Sequence, residues 1–417
     1  MDYAIKDGIL MVNVSAVQAV ALAVITYFFG VWAKKKISIL ERLSIPSPVV
    51  GGMTFAVILS ILDGCGVMKV HFDSSLQTLF MLAFYTTVGL MASFKLIKKG
   101  GKLLVCFFLA VSVLCFLQNG VGIALATMMG IDMHYGILSG SISMMGGLGT
   151  AAAFGPFFEQ TYGVTGGTAV GITSATFGMV AALLLGGPFG EWVIRRYKVK
   201  TPKKVGEPEP ELRIPADTEV SVTDQKRANT PTMTDELMKA GSIVALCIAG
   251  GMIVSSWLGH FITLPAYIGS MIVAAILRNI GDFSGLYKVD GKGMNAVADI
   301  SLVLFVTMAI NSLKLYELIH LAIPMMVILA AQTVLMLGFA WLVFIKLFGN
   351  DYDNVMLAVG GIGFGMGATV NGLANMQAIG EKYGTSARAW LIVSIVGAFL
   401  IDFVNALVIT WMGTLPF

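Results

Sequence analysis

The side chains with chemical capacity in this chain lie inside long apolar runs, where polar groups are costly. Asp402 stands midway along Val396-Gly397-Ala398-Phe399-Leu400-Ile401-Asp402-Phe403-Val404-Asn405, and Asn405 shares its helical face at i+3. A carboxylate at membrane depth costs several kcal/mol unless partnered, which points to a cation-related role with sodium or a substrate ammonium group as the cation. The alternative is that Asp402 caps or pins a broken helix. Two glycine-rich runs lie in comparable settings, Ser141-Ile142-Ser143-Met144-Met145-Gly146-Gly147-Leu148-Gly149-Thr150 and Gly361-Ile362-Gly363-Phe364-Gly365-Met366-Gly367-Ala368-Thr369, the second followed by Asn371 and Asn375. Glycine runs break helices, and broken backbone within a bilayer is tolerated only where protein or a water-filled cavity surrounds it.

These runs offer an anion site without a fixed positive charge. No Lys or Arg occupies the centre of any apolar run. The unpaired N–H groups in the first turn of a half-helix suit a carboxylate, and exposed carbonyls at the opposite ends suit a hard cation. Glycine at 146, 147, 149, 361, 363, 365 and 367 lets the backbone approach a ligand, while Ser141, Ser143, Thr150, Thr369, Asn371 and Asn375 add hydroxyls and amides. The competing reading is helix packing through small residues. Two runs at matching positions, each ending in threonine, favour a site. Gln118 and Gln332 read as interhelical hydrogen-bond partners, although Gln118-Asn119 could reach the same cavity, and Lys382 and Arg388 read as interface anchors.

The elements that position these groups follow from composition. Of 417 residues, 57% are hydrophobic and 12% charged, against about a quarter charged in soluble domains, so the chain reads as an all-α polytopic membrane protein. A net charge of +3 without a basic tract argues against a nucleic-acid surface. Cys65, Cys106, Cys115 and Cys247 lack paired spacing and read as packing residues; His71, His134, His260 and His320 do not cluster into a zinc ligand set. The acidic N-terminus, long apolar core and following Lys34-Lys35-Lys36 are the reverse of a cleaved signal peptide.

Apolar runs predict ten spans, near 9 to 33, 46 to 63, 77 to 94, 103 to 129, 167 to 193, 238 to 258, 264 to 280, 295 to 313, 321 to 348 and 388 to 412. Segments 136 to 158 and 354 to 378 are too glycine-rich for spans and read as re-entrant hairpins. With both termini outside, 24 of the 27 Lys and Arg residues fall inside, all but Lys6, Lys69 and Lys314, as the positive-inside rule requires.

A shift of 219 residues aligns Pro46 with Pro265, Lys95 with Lys314, Gly130 with Gly349, Asp132 with Asp351, Thr150 with Thr369 and Gly178 with Gly397. Five spans per half is an odd number, which turns the second copy over, giving an inverted repeat with opposed hairpins. The units are 1–194 and 238–417, joined by a polar linker, 195–237, that carries five prolines and reads as a cytoplasmic tether.

The chain resembles the bacterial sodium/glutamate symporter family through Ile45-Pro46-Ser47-Pro48-Val49-Val50-Gly51-Gly52, Thr87-Val88-Gly89-Leu90, Leu117-Gln118-Asn119, Ala175-Thr176-Phe177-Gly178, Gly363 through Thr369, Ala374 through Ile379 and Val396 through Ile409. The resemblance implies sodium-driven uptake of L-glutamate across the bacterial inner membrane, with sodium as coupling ion. It also implies a lipid-embedded homodimer whose transport domain moves like an elevator. Two motifs depart from the family's pattern. Met145 and Leu148 replace the serine and histidine of Ser-Gly-Gly-His-Gly-Thr, and Val370 replaces a proline after Ala368-Thr369.

Secondary transport is the expected function. A carrier of another organic anion, such as aspartate or a hydroxy acid, is the near alternative. A channel is the distant one, disfavoured because filters usually repeat about a parallel axis. An embedded enzyme would need a nucleophile with a base or a metal set, and no such cluster lies at membrane depth.

Overall fold

The computed structural model describes residues 2–6, 9–42, 45–202, 232–260, 265–285, 292–315 and 320–415. Most of the expected tether, 203–231, lies outside the described residues. The chain is mostly helical, consistent with the expected all-α membrane protein, and carries one small sheet besides. Strand β1 (Asp2–Lys6) pairs antiparallel with β2 (Ile9–Val14), which pairs parallel with β3 (Met68–Phe72). The apolar run from residue 9 therefore starts as a strand, since Ile-Leu-Met-Val-Asn-Val is rich in residues that fit a pleated surface. Helix α1 (Ala16–Lys36) begins only after Ser15, whose backbone N–H donates to Gln18 Oε1 at 3.1 Å.

Short α2 (Ser38–Arg42) leads to α3 (Ser47–Gly64), α4 (Ser75–Met91) and α5 (Phe94–Met128). The expected span at 103 to 129 is only part of α5, which bends at Gly101, where φ is 62° and ψ −159°. Next come α6 (Met133–Leu138), α7 (Ser141–Met144), α8 (Gly147–Tyr162) and α9 (Gly167–Tyr197). Beyond the linker lie α10 (Met233–Leu258), α11 (Tyr267–Ser284), α12 (Lys292–Asn311) and α13 (Ala322–Phe339), the last continuing as a π-helix over Ala340–Leu347. The chain finishes with α14 (Tyr352–Gly365), α15 (Thr369–Tyr383), α16 (Ala387–Ile395), a π-helical turn (Val396–Leu400) and α17 (Ile401–Gly413). Among the described residues, seven helical segments are both long and apolar enough to cross a bilayer, and Ser75–Met91 and Ile401–Gly413 are shorter apolar helices.

The helices pack in two groups. One joins α1, α3 and α4 to α10, α11 and α12; the other joins α5 through α9 to α13 through α17. Short connections tie one group to the other. Asn279 near the end of α11 accepts from Phe94 N at 2.9 Å and donates to Ala92 O at 2.7 Å, fixing the elbow between α4 and α5. Ser60, 219 residues earlier and near the end of α3, accepts from Leu315 N at 3.0 Å in the connection after α12. Other pairs at this spacing also share roles. Gly130 and Gly349 have positive φ of 70° and 110°, conformations that glycine adopts without steric cost. Asp132 and Asp351 cap α6 and α14 by accepting from His134 N and Asn354 N.

Candidate functional site

Both glycine-rich segments fold back on themselves. In the first, His134 of α6 stacks on Tyr162 of α8 with ring centroids 4.3 Å apart, so the segment ends where it began. In the second, the Tyr352 hydroxyl donates to Gly384 O and the Ser386 hydroxyl to Asp353 Oδ1 at 2.6 Å, closing the base of α14 and α15. The limbs of this second hairpin can pack because Gly363 faces Gly372: a Cβ on Gly363 would lie 2.3 Å from the Gly372 Cα.

Helix α9 is the spine that orders the two hairpins. Near its start, Thr168 N donates to Glu159 Oε1 at 2.8 Å, at the base of the first hairpin. Near its end, Lys382 Nζ of the second hairpin's base meets Glu191 Oε1 at 2.6 Å. At 1.5 Å rise per residue these contacts stand about 35 Å apart, so the hairpins approach from opposite ends of α9. Their tips meet between those ends. Gly147 has φ of 63°, and a Cβ there would lie 2.3 Å from Gly367 O; a Cβ on Gly178 of α9 would lie 2.2 Å from Met366 O. Helices α8 and α15, of 16 and 15 residues, both start at these tips. Two sets of first-turn N–H groups, each at the positive end of a helix dipole, thus converge from opposite directions.

The structure divides the sequence-predicted residues by task. Ser143 donates to Gly171 O at 2.7 Å and also bonds Leu138 O, so its hydroxyl is engaged in holding the first hairpin to α9. Asn371 and Asn375 donate to Met179 O at 3.1 Å and Ala182 O at 2.9 Å, which holds the second hairpin to the same helix. Gly361 and Gly365 are packing positions, where a Cβ would come within 2.9 Å of the Phe344 ring and of Met336 Sδ respectively. Gly149 is open by comparison, with no neighbour closer than Phe84 at 3.4 Å to a built Cβ. Gly146 is crowded by Thr150 of its own turn, and a Cβ on Gly367 would lie 2.8 Å from Asn371 Nδ2.

Thr150 and Thr369 mark two approaches to the centre. Thr150 Oγ1 accepts from the Tyr85 hydroxyl at 3.3 Å, and Tyr85 stacks on Tyr267 at 3.9 Å between centroids. Thr369 donates to Gly397 O at 2.5 Å, in the π-helical turn just before Asp402. Such π-turns often occur at functional sites because they free or redirect backbone groups. Asp402 is half-buried in the first turn of α17, without an ion-pair partner among the described residues. The π-helical turn before it packs against α4, where the two helix groups face one another. The tyrosine pair was not singled out in the sequence; two tyrosines inside apolar helices were the available signal.

Gln118 and Asn119 are more central than their sequence suggests. Gln118 Nε2 donates to Gly365 O and Gln332 Nε2 to Gln118 O, both at 2.7 Å. The adjacent Asn119 Oδ1 accepts from Ser141 N at 2.8 Å, and Asn405 Nδ2 donates to Ser141 O at 3.0 Å. One dipeptide in α5 thus reaches the breaks of both hairpins. A cleft of about 590 Å³ opens beside the first hairpin, lined among others by Thr78, Glu159, Thr165, Thr168, Ser312 and Lys314.

Comparison with known proteins places the chain in a family. The family model described as sodium/glutamate symporter matches residues 12–385. The sodium/glutamate symporter of Escherichia coli strain K12 is 37% identical over 408 residues, covering 97% of this chain and 99% of that protein. The sodium/glutamate symporter of Haemophilus influenzae is 35% identical over 398 residues, covering 94% and 95%. With near full-length similarity added to the paired hairpins, the chain belongs to the sodium/glutamate symporter family.

Proposed function

We propose that this protein is a secondary active carrier that couples L-glutamate uptake to an inward sodium gradient. Family membership supports the chemistry, as do the printed functions of its relatives. The observation that carries the reading is the meeting of two hairpin tips, Gly147 against the Gly367 carbonyl, with a helix starting at each. Their unpaired N–H groups suit carboxylates of the substrate, and Gly146, Gly147, Gly149, Thr150, Gly367 and Thr369 form the closest set around them. Asp402, with Asn405 one turn away, supplies the negative charge that a sodium ion or the substrate ammonium requires.

The movement follows from the division into two helix groups. The group containing both hairpins is the transport domain and the other is the scaffold, with the Tyr85–Thr150 contact between them. Sliding one against the other is the elevator step. Ten spans in an inverted repeat, with hairpins re-entering from opposite faces, are supported by the shared roles of residues 219 apart and by the opposed bases along α9. Both termini lie outside and the linker in the cytoplasm, in a homodimer of the bacterial inner membrane, consistent with the Lys and Arg bias. Pro-to-Val at 370 leaves this arrangement intact, because Val370 is 73% exposed in the first turn of α15.

The test is radiolabelled glutamate uptake into proteoliposomes with and without an inward sodium gradient. Accumulation above the external concentration only with sodium is expected; its absence removes the proposal. Asp402→Asn should lower coupled uptake at least about tenfold with normal expression, as expected for a lost intramembrane charge. Met145 and Leu148 favour a second reading, a related carrier of aspartate or a hydroxy acid, because they remove polar side chains from the first tip. Competition by those anions against glutamate separates the two.

A further inference from the structure

The break in the first limb of the first hairpin, at Ser139-Gly140, separates α6 from α7 and brings three elements together. Ser141 follows the break, Asn119 comes from α5 and Asn405 from α17, and all three are essentially inaccessible, at 0%, 0% and 1% exposure. Two of their oxygens have no hydrogen-bond partner among the described residues: Ser141 Oγ and Asn405 Oδ1. The orientation of each amide is set by its bond. Asn405 must present nitrogen to the Ser141 carbonyl at 3.0 Å, which directs Oδ1 elsewhere, and Asn119 must present oxygen to Ser141 N at 2.8 Å.

We propose that this break is the seat of the coupling cation, with Ser141 Oγ and Asn405 Oδ1 as side-chain ligands. The inference rests on the sodium-coupled reading above and names where that ion is held. Buried oxygens without donors are unfavourable, whereas a hydroxyl and an amide oxygen are the hard, neutral ligands that a hard cation takes. The pair lies inside protein. Asp402, three residues before Asn405 on the same helix, balances the charge from one turn away. Asn119 has a different task. Its Nδ2 is an unpaired donor, which a cation repels, so Asn119 acts as a positioning residue through Ser141 N. A cation here would join the first hairpin to α17, making closure of the transport domain depend on the ion.

The discriminating variant is Ser141→Ala, because it removes an atom that no hydrogen bond uses. If Ser141 were only structural, deleting an orphaned hydroxyl would leave sodium dependence unchanged. The proposal expects the sodium concentration for half-maximal glutamate uptake to rise at least about tenfold. It also expects the melting temperature in choline to be retained and the further rise on adding sodium to the purified protein to be lost. Unchanged sodium half-saturation overturns it, as does a wild-type protein that sodium alone does not stabilise. Ser141→Cys carries the same readouts should the alanine variant fold poorly, since a thiol keeps the volume but is a poor partner for a hard cation. A wild-type protein stabilised by sodium that does not accumulate glutamate would remove the glutamate reading and leave the cation site standing.

Discussion

The two hairpins share a sequence signature but differ in how their polar groups are used. The first is broken twice, at Ser139-Gly140 and at Met145-Gly146, and its Ser141 hydroxyl has no partner among the described residues. The second has two uninterrupted limbs that break only between Gly365 and Thr369, and its Asn371 and Asn375 amides donate to carbonyl groups three residues apart on α9. Glycine follows the same division. Gly147 needs a left-handed conformation at a point of backbone contact, whereas Gly361 and Gly365 make room for Phe344 and Met336. A repeated motif therefore fixes a repeated shape, while side-chain capacity divides the labour. The first hairpin has a buried hydroxyl without a partner among the described residues; the second spends its amides on the spine.

The strongest way to break this contrast is Gly147→Ala. The new Cβ would have to adopt φ of 63° and lie 2.3 Å from Gly367 O, so the tips must part. Uptake should fall by more than about tenfold with only a modest loss of stability, because the strain, about 1–2 kcal/mol, is local. Normal uptake by this variant would remove the tip contact from the mechanism.

Asn375→Ala should act on stability instead. It loses the bond to Ala182 O in a buried setting, at a cost of about 0.5–1.5 kcal/mol, read as a lower melting temperature of the purified protein. Sodium half-saturation should stay within about twofold, since a buried hydrogen bond of this kind carries only its own energy. A large shift in sodium dependence with unchanged melting would reverse the roles of the hairpins.

Two smaller effects sharpen the picture. Tyr85→Phe removes a single long bond of 3.3 Å to Thr150 and retains the ring stack on Tyr267, so it should change substrate KM by a few fold, corresponding to about 0.5–1 kcal/mol. Gly149→Ala should leave the melting temperature nearly unchanged, because its nearest neighbour, Phe84, is at ordinary contact distance from a built Cβ. A severe defect at 149 would mean that the substrate backbone or ion approaches this residue more closely than Gly147.

Much of the architecture could be read in advance because lipid leaves few solutions. Long apolar runs, charged loops and glycine breaks led to helices at nearly every expected position, and to the two segments that turn back. The exceptions have local causes. Residues 9–14 form a strand because their partner, Met68–Phe72, lies far away in sequence, and apolarity alone does not distinguish a strand from a span's first turns. The π-turns at 340–347 and 396–400 were equally invisible, since their hydrogen-bond shift depends on neighbouring helices.

By itself the sequence determined the class of protein, the family, the duplicated glycine signature and the carboxylate within an apolar run, because each is a matter of residue type and spacing. Tertiary structure alone decided which polar atoms are already paired. Ser143, Asn371 and Asn375 looked equivalent to Ser141 as candidate ligands, yet contacts with α9 engage the first three and leave the Ser141 hydroxyl free. Hydrogen-bond satisfaction depends on which backbone groups packing brings within about 3 Å, and segments separated by up to 193 residues supply them here.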